Sequence, residues 1–157
     1  MATGGRRPTA TQPPGLTELR LLVELPALRK LAERGIRDEE LAVIRRLADI
    51  TMRSALRGDV AGYLKADADF HAGLLELSGD PALLGIARPL LAACGGQSPW
   101  SEEAGRFMGT EASEHRELVD MLARDMSSEA DALLRHHISR SAPASAAARP
   151  GSAPRGA

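Results

Sequence analysis

Lysine is nearly missing from this chain, with Lys30 and Lys65 the only two, and aromatic side chains are limited to Trp100, Tyr63, Phe70 and Phe107. Sheets draw on β-branched and aromatic residues, so four Val and five Ile beside 22 Leu argue against an all-β fold. Leu, Ala, Arg and Glu favour helix. Cys94 stands alone, which excludes an internal disulfide and fits a reducing cytoplasm. No apolar run approaches the ~20 residues needed to span a bilayer, and Met1 to Gly15 holds no apolar block of signal-peptide type. No excess of one charge exists either: 20 basic and 21 acidic residues leave a formal net charge of -1. Bulk charge therefore gives no support to a nucleic-acid binder. A glycine-rich phosphate loop and a serine-nucleophile motif are also absent.

What is present is a helical middle framed by two low-complexity ends. The 157 residues allow one domain with a core of useful size. Residues 1–15 carry Gly and Pro with almost nothing apolar, and residues 142–157 are mostly Ala, Pro, Ser, Gly and Arg. Neither end can bury enough surface to offset its ordering entropy, so both are expected to be disordered tails around a domain at 16–141.

Within that domain the periodicity predicts six helices. They run over about 17–34 from a Thr17 cap, with Pro26 as a kink, then 38–57, 60–78 behind an Asp59 cap, 81–94, 110–125, and 128–141 behind Ser127 or Ser128. Residues 95–109, punctuated by Gly95, Gly96, Pro99, Gly105 and Gly109, are expected to be irregular, with Trp100, Arg106 and Phe107 either covering a pocket or simply joining helices. Short connections imply that consecutive helices are antiparallel neighbours, so the fold class is an all-α antiparallel bundle. Cys94, ending an apolar helix, reads as a buried small hydrophobe.

The informative residues interrupt the apolar stripes. The third helix reads Leu64, Asp67, Ala68, His71, Leu74, Leu75, the fifth Ala112, His115, Leu118, Val119, Leu122, and the sixth Ala130, Leu133, Leu134, His137, Ile138. Each follows the spacing of a core-facing helix. Three histidines and one aspartate thus stand where apolar residues belong. Asp67 and His71, four apart, project side by side. An ionised carboxylate in a bundle interior is costly unless it is paired or binds a metal. Imidazoles and carboxylates from facing helices are how bundle-core metal sites are built, with an open position left for water or a ligand carboxylate. The plainer alternatives are hydrogen-bonded core histidines and an Asp67 paired with Arg20 or Arg46. His136, Glu114 and Asp69 fall off the stripes and are expected to face elsewhere.

Several runs resemble a known family. Glu18-Leu19-Arg20-Leu21-Leu22-Val23-Glu24-Leu25-Pro26-Ala27 with Asp38-Glu39-Glu40-Leu41 looks like the opening of the FadR C-terminal (FCD) domain, the effector-binding domain of GntR-family transcription regulators. Asp67-Ala68-Asp69-Phe70-His71 resembles its D-x-x-F-H motif, followed by a family-like Ser78-Gly79-Asp80-Pro81-Ala82-Leu83-Leu84. Glu114-His115-Arg116-Glu117-Leu118 and Arg135-His136-His137-Ile138 resemble its later E-H-R-x-[IL] and R-x-H-[IL] segments. The resemblance spans about 17–141 and implies a bundle of six or seven helices. It implies a divalent transition metal, Zn or Ni, held by Asp67, His71, His115 and His137, and a small organic acid bound partly through it. Arg20 is then either a bidentate partner for that acid or an ordinary salt-bridge arginine.

The resemblance further implies a sensor, not an enzyme, acting as a homodimer or beside a full-length GntR-type regulator, and the lack of an apolar span or signal block makes a soluble cytoplasmic protein the expectation. The family's winged helix-turn-helix has no room in the 15 residues before the first helix, so this chain alone is not expected to bind DNA, and no membrane contact is expected. A helical metalloenzyme would need a general base, for which only Glu114 and His136 lie near the ligands in sequence. A metal-free interaction bundle is the third alternative.

Overall fold

The computed structural model describes residues 15–95 and 102–141. The expected tails, apart from Gly15, lie outside the described residues together with Trp100, as do the side chains of Cys94 and Arg106. Among the described residues the chain is all-α, with α1 Leu16–Arg34, α2 Asp38–Leu56, α3 Val60–Leu77, α4 Pro81–Gly95, α5 Glu102–Ala123 and α6 Ser127–Ser141.

Local chemistry sets most of the boundaries. The Asp59 side chain accepts from the Gly62 amide at 2.9 Å and opens α3. The Glu40 carboxylate folds back on the Arg37 amide at 3.0 Å to open α2, satisfying a donor that the helix itself leaves free. Gly58, at φ 66, ends α2 in a left-handed turn, with the Asp59 amide bonded back to the Ser54 carbonyl at 3.0 Å. Asp125 does the same after α5 at φ 58, and the Met126 amide reaches the Met121 carbonyl at 3.0 Å.

Three local expectations need correction. α1 begins at Leu16 behind Gly15 with no side-chain cap, so Thr17 sits inside the helix. α6 begins at Ser127 with the Ala130 amide bonded to the Met126 carbonyl, which puts both serines in the first turn. Residues 102–109, read as irregular, are helix. Each glycine costs a helix only about 1 kcal/mol against alanine, and Met108 is buried with Tyr63 and Ala112 in a small apolar cluster that offsets this.

α3 is the central helix, packed against α1, α2, α4 and α5. α6 closes the bundle against α1 and α5, and α2 also packs on α5. Chain neighbours α2 and α3, α3 and α4, and α5 and α6 lie together as expected, but α1 packs on α3, α4 and α6 rather than along α2. An extended link through Gly35 and Arg37 carries the chain away from α1. The main core joins Leu28 and Leu31 of α1, Ile44 of α2, Phe70 and Leu74 of α3, Leu118 and Leu122 of α5, and Leu134 and Ile138 of α6. Fully burying one such side chain contributes about 1.5–3 kcal/mol, so this cluster fixes how α3, α5 and α6 face one another.

Candidate metal centre

Phe70, Leu118 and Ile138 anchor their helices in that core, and His71, His115 and His137 sit beside them on the same inward faces. All three imidazoles are buried. His137 Nε2 lies 3.2 Å from His71 Nε2 and 3.2 Å from His115 Nε2. Asp67 Oδ1 lies 3.3 Å from His115 Nε2 and 3.7 Å from His71 Nε2. One donor atom from each of Asp67, His71, His115 and His137 falls within 4.8 Å of every other. Tetrahedral ligation with bonds of 2.0–2.1 Å separates neighbouring donors by about 3.3 Å, so the four donors have the spacing and chemistry of a transition-metal ligand set. The Asp67 side chain keeps 22% of its surface exposed, so the cluster reaches solvent on that side.

The surroundings hold the rings in place. Phe70 stacks on the His115 ring with centroids 4.1 Å apart. His71 Nδ1 is 2.6 Å from Glu24 Oε2, and Glu24 Oε1 accepts from Arg20 Nε at 2.6 Å. His137 Nδ1 is 2.9 Å from Glu114 Oε2, and Glu114 Oε1 accepts from Arg140 at 2.6 Å. His115 Nδ1 is 3.2 Å from the Thr51 hydroxyl, which itself donates to the Ala48 carbonyl at 2.7 Å.

These contacts set the charge states. Burial opposes ionisation of Asp67, but the hydrogen bond it accepts from His115 and the nearby His71 and Arg20 hold its carboxyl well below the usual carboxylate range. Burial pushes His115 down to about 3, against its hydrogen bond to Asp67 and with the push of neighbouring His137. His115 is therefore a neutral imidazole at neutral pH, the form that ligates a metal. Burial also opposes the charge on Glu24, yet Arg20 and His71 bring it down to about 2.

A family model for the FCD domain matches residues 16–140. The chain belongs to the FCD domain family. That places this FCD domain, as its motifs implied, with the effector-sensing domains of GntR-family regulators. It is 31% identical over 133 residues to the HTH-type transcriptional repressor NanR of Enterobacter sp. (strain 638), covering 82% of this chain and 50% of that protein. It is 29% identical over 123 residues to the NanR repressor of Cronobacter sakazakii (strain ATCC BAA-894), covering 77% and 46%. The chain thus spans about half the length of the curated relatives it matches, and those relatives are regulators rather than enzymes. The same fold occurs in Lar, which controls expression of the Listeria monocytogenes agr system. Its TM-score is 0.68 at 16% identity, covering 81% of this chain and 60% of that one. E. coli McbR/YncC also has a TM-score of 0.68, at 17% identity, covering 80% and 63%.

The four residues singled out by their stripe positions are those the structure brings together. Arg46 is exposed, and Asp69 is exposed and bonded to Lys65 at 2.6 Å. His136 is exposed as expected. Arg20 is buried and forms a salt bridge with Glu24. Glu114 is a correction: it is buried on His137 rather than facing away, because α6 packs along that flank of α5. Glu24 and Thr51 were not singled out at all. The available signals were modest: Glu24 lies four residues after Arg20, and Glu114 directly precedes His115. Phe107, expected near a pocket or in a loop, lies on α5 with the Arg140 guanidinium 5.2 Å from its ring centre.

Proposed function

We propose that this FCD domain is a metal-dependent sensor of a small organic acid, working within or beside a cytoplasmic GntR-type transcription regulator. The observation that carries the reading is the convergence of His71, His115 and His137 Nε2 with Asp67 Oδ1 at one buried point. These four residues would hold a divalent transition metal, Zn or Ni. An ion that takes a fifth or sixth ligand beside these four would supply a Lewis-acid position to which a ligand carboxylate can attach.

Charge supports an anionic effector. Glu24 with Arg20, and Glu114 with Arg140, are internally neutral pairs. Asp67 supplies one negative charge and the imidazoles none, so a divalent ion leaves a net positive site that a carboxylate neutralises. Effector binding would change the packing of the helices around α3 only by its differential affinity for the two packings. The change would then reach a second copy of the domain or a full-length regulator.

Titration of metal-free protein with Zn or Ni, beside a variant lacking His71 and His115, tests the ligand set. The parent is expected to take up metal saturably and the variant negligibly. Equal, negligible uptake by both defeats the reading. Organic acids added to loaded protein are expected to bind without turnover, and Arg20→Lys to bind them more weakly, because lysine lacks the guanidinium fork.

A further inference from the structure

Two three-residue chains run into the centre from opposite sides, the first fully buried and the second buried except at Arg140. Arg20–Glu24–His71 enters from α1, and Arg140–Glu114–His137 from α6 and α5. Both place the same atoms in the same order. The Oε1 of the glutamate accepts from an arginine at 2.6 Å. The Oε2 faces a histidine Nδ1, at 2.6 Å for Glu24 and 2.9 Å for Glu114.

A neutral imidazole carries its proton on one nitrogen only, and an ionised carboxylate accepts but cannot donate. An Nδ1 lone pair facing a carboxylate at these distances would be repulsive. A proton on Nδ1 satisfies the carboxylate and leaves the Nε2 lone pair for the shared point. The contact of His71 with Glu24 is close without being well aligned as a hydrogen bond, and the two atoms have no other hydrogen-bond partner. The sign of the interaction still favours the Nδ1–H tautomer.

We propose that Glu24 and Glu114 are the positioning residues of this centre, because a carboxylate offers one oxygen to an arginine and the other to a histidine and so holds the Nε2 lone pairs of His71 and His137 on the common point. The inference rests on the metal reading for its purpose, though not for its test. Arginine only donates. A glutamine at either position must give its single oxygen to the arginine and turn its NH2 toward the histidine. The NH2 then donates to Nδ1, the ring proton moves to Nε2, and the ligating lone pair is lost. The role is thus specific to the carboxylate and is not a matter of side-chain size.

The test uses Glu24→Gln, Glu114→Gln and the double variant Arg140→Met with Glu114→Gln. Long-range proton–nitrogen NMR of the metal-free proteins reads the tautomer of each ring, and chelator competition reads Zn affinity. The parent is expected to show Nδ1–H at His71 and His137. Each single variant is expected to shift its own histidine to Nε2–H and to weaken Zn binding about 10–100-fold. The double variant, whose glutamine oxygen is released from the arginine, is expected to recover Nδ1–H at His137 and part of the affinity. A merely structural role would lower the melting temperature without this pattern or this rescue. Unchanged tautomers in both single variants, or Zn affinities within about twofold of the parent in both, overturn the proposal. A tautomer shift in a protein whose parent takes up no metal would instead uphold the positioning role and reject the metal reading.

Discussion

His137 on α6 brings its Nε2 to 3.2 Å from the Nε2 of His71 on α3, a residue 66 positions earlier in the chain. Two imidazoles meeting edge to edge in a buried core gain little as packing units. With His115 and Asp67 on the same point, they form a donor set. Each histidine's other nitrogen faces a polar partner, which is the arrangement that orients metal-bound imidazoles.

Removal of a ligand should cost more than removal of a supporting group. His137→Ala is expected to weaken Zn or Ni binding by more than about 100-fold, beyond the 10–100-fold typical of supporting residues. Chelator competition measures it, and a loss below tenfold would contradict the ligand role.

Metal should also stabilise the fold, because the ligands come from α3, α5 and α6 and meet only when these are packed. At about 100 times its dissociation constant an ion adds about 2.7 kcal/mol, enough to raise the melting temperature by roughly 5–15 °C. Scanning calorimetry with and without chelator checks this, and coincident curves would support a metal-free bundle instead.

Phe70 joins core to centre, being fully buried in the main cluster and stacked on His115. Phe70→Ala is expected to destabilise by about 3–5 kcal/mol, read by denaturant melts. Metal affinity, measured under conditions where the variant remains folded, should fall as well, because the His115 ring loses the surface that sets its plane.

Acid stability should depend on Glu40. Its hydrogen bonds from the Arg37 side chain and amide, with help from Arg34, outweigh burial and lower its pKa from 4.5 to about 2. A depressed carboxyl contributes stability that is fully present above its unfolded pKa and is lost as pH falls through its folded pKa. Its contribution should therefore be intact at pH 6 and fade between about pH 4.5 and pH 2. In Glu40→Gln the melting temperature should be lower at pH 6, and the gap to the parent should narrow toward pH 2.

Helix identity and the polar interruptions were legible because both depend on near neighbours. Asp59 caps α3 through an amide three residues on, Gly58 stops α2 in place, and the stripe spacing of Asp67, His71, His115 and His137 needs only the helical repeat. The helix over 102–109 was not legible, since Gly105 and Gly109 speak for a break and the opposing gain comes from Met108 packing on Tyr63, 45 residues away. Glu114 misled for a similar reason, because its place off the α5 stripe gives no hint that α6 covers that flank.

By itself, then, the sequence determined an all-α chain with family motifs and four candidate ligands, since each follows from backbone periodicity and side-chain type over a few residues. Only the tertiary structure decided that α3, α5 and α6 turn those ligands to a single point, and that Glu24 from α1 and Glu114 from α5 stand behind two of them. Those relations span tens of residues and are set by how the Leu, Phe and Ile side chains of five helices fill one core, which no local pattern encodes.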